Sequence, residues 1–166
     1  NYIIGEKAFE KTIKNYFDKY KFTHPLPNDL RRVAEQSSGI LLNWYLTDWT
    51  NTTNKINYAI DKVEQTDGKS KVTIERIGLM PMPLEVLVKY KDGSEEFYYI
   101  PISLMRGEKK QPTYAKNWKQ IKDWSWAYKK YSFEIVSELD SIDSIDINPT
   151  GLIADTDNSN DKVIFD

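Results

Sequence analysis

The feature that most constrains this chain is a change of hydrophobic period near residue 54. Before it, apolar residues recur at helical spacing; after it, they alternate as in strands. Phe9, Ile13, Tyr16, Phe17 and Tyr20 form one stripe of a helix, with Lys7, Lys11, Lys14 and Asp18 on the other side. Pro25 and Pro27 forbid its continuation, because proline lacks the amide donor and clashes with the preceding turn. A second helix is expected from Asn28, a good N-cap, with Asp29 favouring the positive end of the helix dipole and Gly39 as a left-handed C-cap. A third stripe, Leu41, Leu42, Tyr45, Leu46 and Trp49, stops at the polar run Thr50 to Asn54.

Beyond that point Ile56, Tyr58 and Ile60 alternate with polar residues. Asp67-Gly68 and Asp92-Gly93 are two-residue turn signals that tolerate the positive φ values of a type I′ hairpin. Trp124-Ser125-Trp126, Tyr131 to Ile135 and Ile145-Asp146-Ile147 add alternating stretches, with Val163-Ile164-Phe165 closing an edge. About seven strands are expected. The fold class is therefore α+β: about three short N-terminal helices over 1–53, then an antiparallel immunoglobulin-like β-sandwich over 54–166. The segments 78–83, 106–116 and 155–161 read as irregular. Some fifty residues of helix fall short of independent stability, so the helices are expected to pack on the sandwich or on further chain.

Composition narrows the chemistry. The 166 residues contain no cysteine, which removes disulfides, thiol nucleophiles and Cys-type zinc sites. There is one histidine, His24, in Phe22-Thr23-His24-Pro25, and a peptidase zinc site needs two histidines and a carboxylate. No Gly-x-Ser-x-Gly elbow accompanies it, so His24 reads as a loop residue. A net charge of −2 leaves no basic footprint for nucleic acid or an anionic membrane surface, and no apolar run approaches a membrane span.

Several strings together resemble a known family. Ile4-Gly5-Glu6-Lys7-Ala8-Phe9, Tyr16-Phe17, Asn28-Asp29-Leu30, Ser38-Gly39 and Leu42-Asn43-Trp44-Tyr45-Leu46 with Trp49 resemble the tail of the catalytic domain of aminopeptidase N-like zinc metallopeptidases. Met82 to Val86, Lys91 to Ser94, Tyr99 to Ile102, Trp124 to Trp126, and Ile145 to Pro149 with Ala154-Asp155 resemble the sandwich that follows that domain in one bacterial branch. The resemblance implies the end of a thermolysin-like domain followed by a β-sandwich, within a parent that removes N-terminal amino acids from peptides. The parent's zinc is held by a His-Glu-x-x-His helix and a downstream Glu. Neither that motif nor Gly-Ala-Met-Glu-Asn occurs here, and Tyr2 stands too close to Gly5 to be the family's catalytic tyrosine. No catalytic residue and no cofactor is carried over. The implied partner is the upstream catalytic domain of the same polypeptide, with dimerisation through exposed helix surface as the other way to cover it. The sequence assigns no compartment; a soluble, extracytoplasmic parent is compatible with it.

Other candidates have plainer readings. Asp155, Asp157, Ser159 and Asp166 fall at positions one, three, five and twelve of a calcium-loop pattern, but Asn160 replaces its glycine and Asp166 its glutamate, so the plain reading is a solvated acidic loop and no metal ligand is assigned. With 5 Trp and 11 Tyr, an exposed aromatic row such as Trp124 and Trp126 would make the sandwich a carbohydrate- or peptide-binding module, against the plainer use in packing. Arg106 to Lys110 reads as a solvated charged turn. Glu95-Glu96 and Asp140 with Asp143 mimic carboxylate pairs without a cleft to hold them.

Overall fold

A computed structural model describes residues 1–165. The chain forms two compact units. One comprises Asn1–Thr53 with Leu104–Pro112; the other comprises Asn54–Ser103 with Thr113–Asp166. The stretch 104–112, read from the sequence as part of the β portion, thus belongs with the helices.

The helical unit contains α1 (Glu6–Tyr20), α2 (Pro27–Ser38) and α3 (Asn43–Asn51). The N-cap of α2 is Leu26 rather than Asn28. Pro27 takes the first helical position, where its missing N–H costs nothing. Asp29 reaches back to accept the Leu26 backbone N–H at 2.8 Å and the Tyr20 hydroxyl at 3.2 Å, pinning α1 to α2. That backbone hydrogen bond, with help from Tyr20, holds the Asp29 carboxyl below its usual range. Gly39 ends α2 in the expected left-handed conformation, φ 75°. Glu35 then joins α2 to the approach of α3, accepting the Leu42 N–H at 2.8 Å and pairing with Arg31. Ile3, Val33, Ala34, Ile40, Leu42, Trp44 and Met105 are buried.

Residues 104–112 fit against this unit backbone to backbone. Leu41 N–H donates to the Met105 carbonyl at 2.8 Å. A Cβ added at Gly107 would lie 2.7 Å from the Gly39 carbonyl oxygen, so only glycine permits the approach. The supposed solvated turn 106–110 holds one deeply buried charge. Lys109 is 4% exposed, donates to the Tyr2 carbonyl at 2.8 Å and stands 4.1 Å from the Tyr2 ring centroid. The amide and the ring face together compensate the desolvated ammonium.

The β unit holds two sheets. Strands β1 (Tyr58–Thr66), β2 (Lys69–Arg76) and β6 (Lys130–Ile135) form a three-stranded antiparallel sheet in the order β1-β2-β6. Strands β3 (Leu84–Tyr90), β4 (Glu95–Ile100), β5 (Trp118–Gln120), β7 (Ile142–Asp146) and β8 (Lys162–Ile164) form a five-stranded sheet in the order β5-β4-β3-β7-β8. The β4–β5 pair is parallel, so the expected all-antiparallel arrangement is corrected at that edge. Val72, Ile74, Phe133 and Ile135 are buried in the small sheet, and Val86, Val88, Tyr98, Ile100 and Ile145 in the large one. The two sheets meet where the Tyr98 and Phe133 rings approach to 5.2 Å. Each fully buried aliphatic side chain here contributes about 1.5–3 kcal/mol.

Asp67 and Gly68 both have positive φ, 49° and 75°, matching the expected type I′ turn between β1 and β2. The second turn differs. Only Gly93 has positive φ, and Asp92 instead accepts both the N–H and the hydroxyl of Ser94. Trp124-Ser125-Trp126 is a loop and not a strand; Trp124 makes a lone bridge to Ile102. No helix among the described residues is long and apolar enough to cross a membrane.

Candidate functional site

On the helical unit, the amphipathic design of α1 is not completed. The stripe expected to face a core is largely uncovered: Phe9, Ile13 and Phe17 are 39%, 46% and 64% exposed, at i, i+4 and i+8. The buried residue of this helix is Thr12, whose hydroxyl returns to the Ala8 carbonyl at 2.7 Å. Phe22 follows in the α1–α2 turn, fully exposed and in the left-handed region at φ 66°. That conformation costs an L-residue about 1–2 kcal/mol, and here it presents an aromatic ring to solvent. Leu26 and Leu30, also exposed, continue the apolar surface onto α2. Trp44 is buried and ties its indole N–H to the Leu41 carbonyl, Tyr45 is half-buried, and Trp49 is half exposed at the end of the edge-to-face series Trp44–Tyr45–Trp49. His24 lies exposed in the same turn as Phe22.

The β unit presents a second apolar surface, at loop 122–129. The two tryptophans expected on one strand face part company. Trp124 is buried against the Tyr58 and Tyr131 rings and donates its indole N–H to the Tyr128 carbonyl at 2.9 Å. Trp126 and Tyr128 are turned outward, 55% and 68% exposed. Arg76 binds this loop to its neighbour, donating Nη2 to the Trp126 carbonyl at 2.7 Å and Nη1 to the Leu79 carbonyl at 3.0 Å. Ile77 and Leu79, like Trp126 and Tyr128, are exposed on the segments that this guanidinium joins. Gly78 makes the clasp possible: a Cβ there would sit 2.2 Å from the Lys55 carbonyl oxygen.

An open cleft of about 480 Å³ lies beside the β3–β4 turn, lined by Tyr90, Asp92, Ser94, Glu96, Val136 and Ser141 among others. The expectation that no cleft houses Glu96 is thereby corrected. Its Oε2 accepts the hydroxyls of Tyr90 and Tyr98 at 2.9 and 2.7 Å, and Oε1 accepts Lys119 at 2.6 Å. Burial opposes ionisation, but the bonds from Lys119, Tyr98 and Tyr90 outweigh it and hold the carboxyl below its usual range. Burial and the Glu96 carboxylate push both tyrosine hydroxyls up. With three donors already satisfied, Glu96 reads as an anchor of the cleft wall, not a free general base. Glu95 sits on the opposite strand face by alternation, so the two form no dyad. Asp140 and Asp143 are exposed.

In the acidic loop the carboxylates mostly hold the backbone. Asp155 accepts the N–H groups of Tyr58 and Asp157, at 2.8 and 2.9 Å. Asp157 accepts the N–H and hydroxyl of Ser159, at 3.1 and 2.6 Å, and the latter bonds hold its carboxyl below the usual range. Asp166 lies outside the described residues. No three His, Asp or Glu side chains among the described residues converge closely enough to hold an ion.

No protein-family model matches this chain, and no curated protein matches its sequence.

Proposed function

We propose that this chain is a non-catalytic segment of a zinc aminopeptidase, a parent that removes N-terminal residues from peptides and keeps its zinc in another domain. In this reading the helical unit completes the back of the thermolysin-like domain, and the β unit is an immunoglobulin-like sandwich serving as spacer and scaffold. The observation that carries it is the uncovered stripe Phe9, Ile13 and Phe17, with Phe22 beyond it. A 15-residue helix is marginal by itself in water, and one that leaves its apolar face bare is suited to docking. The family strings in the sequence supply the occupant: the domain to which such helices belong. One histidine and no cysteine leave the chain unable to supply the two imidazoles of that family's metal site.

The test is to measure sedimentation and hydrophobic-dye binding of the chain beside a Phe9→Ser/Phe17→Ser variant. The wild type should bind dye or self-associate, and the variant should lose most of both while staying folded. A monomeric wild type that ignores the dye would count against docking through this face.

A second reading rests on a different observation, the outward pair Trp126 and Tyr128 on a loop clasped by Arg76. Here the β unit is a binding module for carbohydrate or peptide. Glycan or peptide binding that vanishes in Trp126→Ala would favour it; no binding to either class removes it.

A further inference from the structure

The three-stranded sheet leaves one edge open. Strand β6 is bonded to β2 alone and ends the order β1-β2-β6. The Arg76 N–H donates to the Lys129 carbonyl at 2.7 Å, which sets the phase of the ladder. Glu75 and Lys130 are therefore a non-hydrogen-bonded pair, and by alternation Tyr131, Phe133 and Ile135 exchange bonds with β2. The N–H and C=O groups of Lys130, Ser132 and Glu134 point the other way. No backbone partner meets them there among the described residues.

The other edges of the two sheets are blunted. Strands β5 and β8 are three residues long, and a bulge breaks β1 between Ile60 and Lys62. Strand β6 runs six residues in unbroken register and contains neither proline nor glycine. Such an edge is a template for a further strand, and its charges decide which one. Lys130 and Glu134 are exposed, opposite in sign, and placed symmetrically about Ser132. An edge of like charges would repel a second copy of itself. This one complements its own copy when turned antiparallel.

We infer that β6 is the contact of a two-fold dimer, the β6 strands of two copies pairing antiparallel about Ser132. Lys130 of each copy then stands opposite Glu134 of the other. The row continues the pattern of the sheet. In one copy Glu64 faces Lys71 and Lys71 faces Glu134; in the other Lys130 faces Glu75. The sign of the charge thus alternates straight through the interface. Within one chain Glu134 already holds Lys69 at 2.7 Å and Lys130 holds Asp61 at 2.9 Å, yet the two side chains stay 55% and 52% exposed and can take a second partner. The same register carries Tyr128 of one copy towards Val136 of the other, both exposed in the single chain. One strand pair is a small contact, in the class below about 1,200 Å² that marks transient association, so the dimer is expected at high protein concentration. It uses the β unit alone and stands apart from the docking proposed for α1.

The chain has no cysteine, so a single introduced one reports the register. The test is air oxidation of full-chain Ser132→Cys over a concentration series, read on non-reducing gels beside Lys71→Cys, an exposed position on the neighbouring strand. Facing Cα atoms of a hydrogen-bonded antiparallel pair lie about 5.5 Å apart, within disulfide reach. Ser132→Cys should form a covalent dimer much faster than Lys71→Cys. Adding Lys130→Glu or Glu134→Lys alone should slow cross-linking about three- to tenfold, because two symmetry-related pairs turn repulsive. Adding both should restore the rate, since the pairs are rebuilt across the axis. If a charge variant fails to fold by circular dichroism, the comparison of positions 132 and 71 decides alone. No covalent dimer from Ser132→Cys, equal rates at the two positions, or a double variant as slow as the single ones would overturn the β6 pairing.

Discussion

Glu96 and Lys109 show how single side chains set terms here. Glu96 is ionised and anchored by three donors, so its folded pKa lies below the unfolded value. The stability this gives is present above the unfolded carboxylate pKa and is lost as pH falls through the folded one. Urea unfolding between pH 5 and pH 3 should therefore show a steeper loss for wild type than for Glu96→Gln. At pH 7 that variant should be less stable by about 1–3 kcal/mol, since it weakens charge-assisted bonds from Lys119, Tyr90 and Tyr98. Equal pH slopes would refute the anchoring role. Lys109→Ala removes a charged donor and a ring contact at once; a loss of about 2–3 kcal/mol is expected, with faster hydrogen exchange in the helical unit than in the β unit. The Lys109 position was not legible in the sequence. Its partner Tyr2 is 107 residues away, and nothing local distinguishes a buried lysine from the exposed ones beside it in Arg106 to Lys110.

At the scale of elements, what the sequence showed was what neighbouring residues decide. The α1 stripe, the Gly39 stop and the Asp67-Gly68 hairpin all depend on spacing and backbone freedom within a few residues, and each forms where it is expected. Trp-Ser-Trp did not form a strand because its alternation describes a loop equally well: one tryptophan anchors inward while the other is left outside. Asn28 looked like a cap, but Pro27 can occupy the first helical position and Asp29 can cap from within the helix. Gly78 gives the sharpest test of loop geometry. Gly78→Ala forces a Cβ against a main-chain oxygen, so a cost of about 1–3 kcal/mol is expected by thermal or urea unfolding. Gly68→Ala, strained only by its positive φ, should cost about 1 kcal/mol. Reversal of that order would show that the clasp beneath Arg76 relaxes freely.

At the scale of the molecule, the chain builds a helical unit with an unfinished apolar face and a β unit with two sheets. The hydrophobic period changes near residue 54, and the two units part between Thr53 and Asn54. The return of residues 104–112 to the helices was not legible, because a polar, Pro-containing segment carries no periodicity to say where it packs. The reading proposed for the whole is architecture within a peptidase whose chemistry lies elsewhere. It is tested most directly by assaying the purified chain on aminoacyl chromogenic substrates while measuring its bound zinc. No turnover and no stoichiometric zinc are expected; turnover that tracks one bound zinc per chain would contradict the proposal.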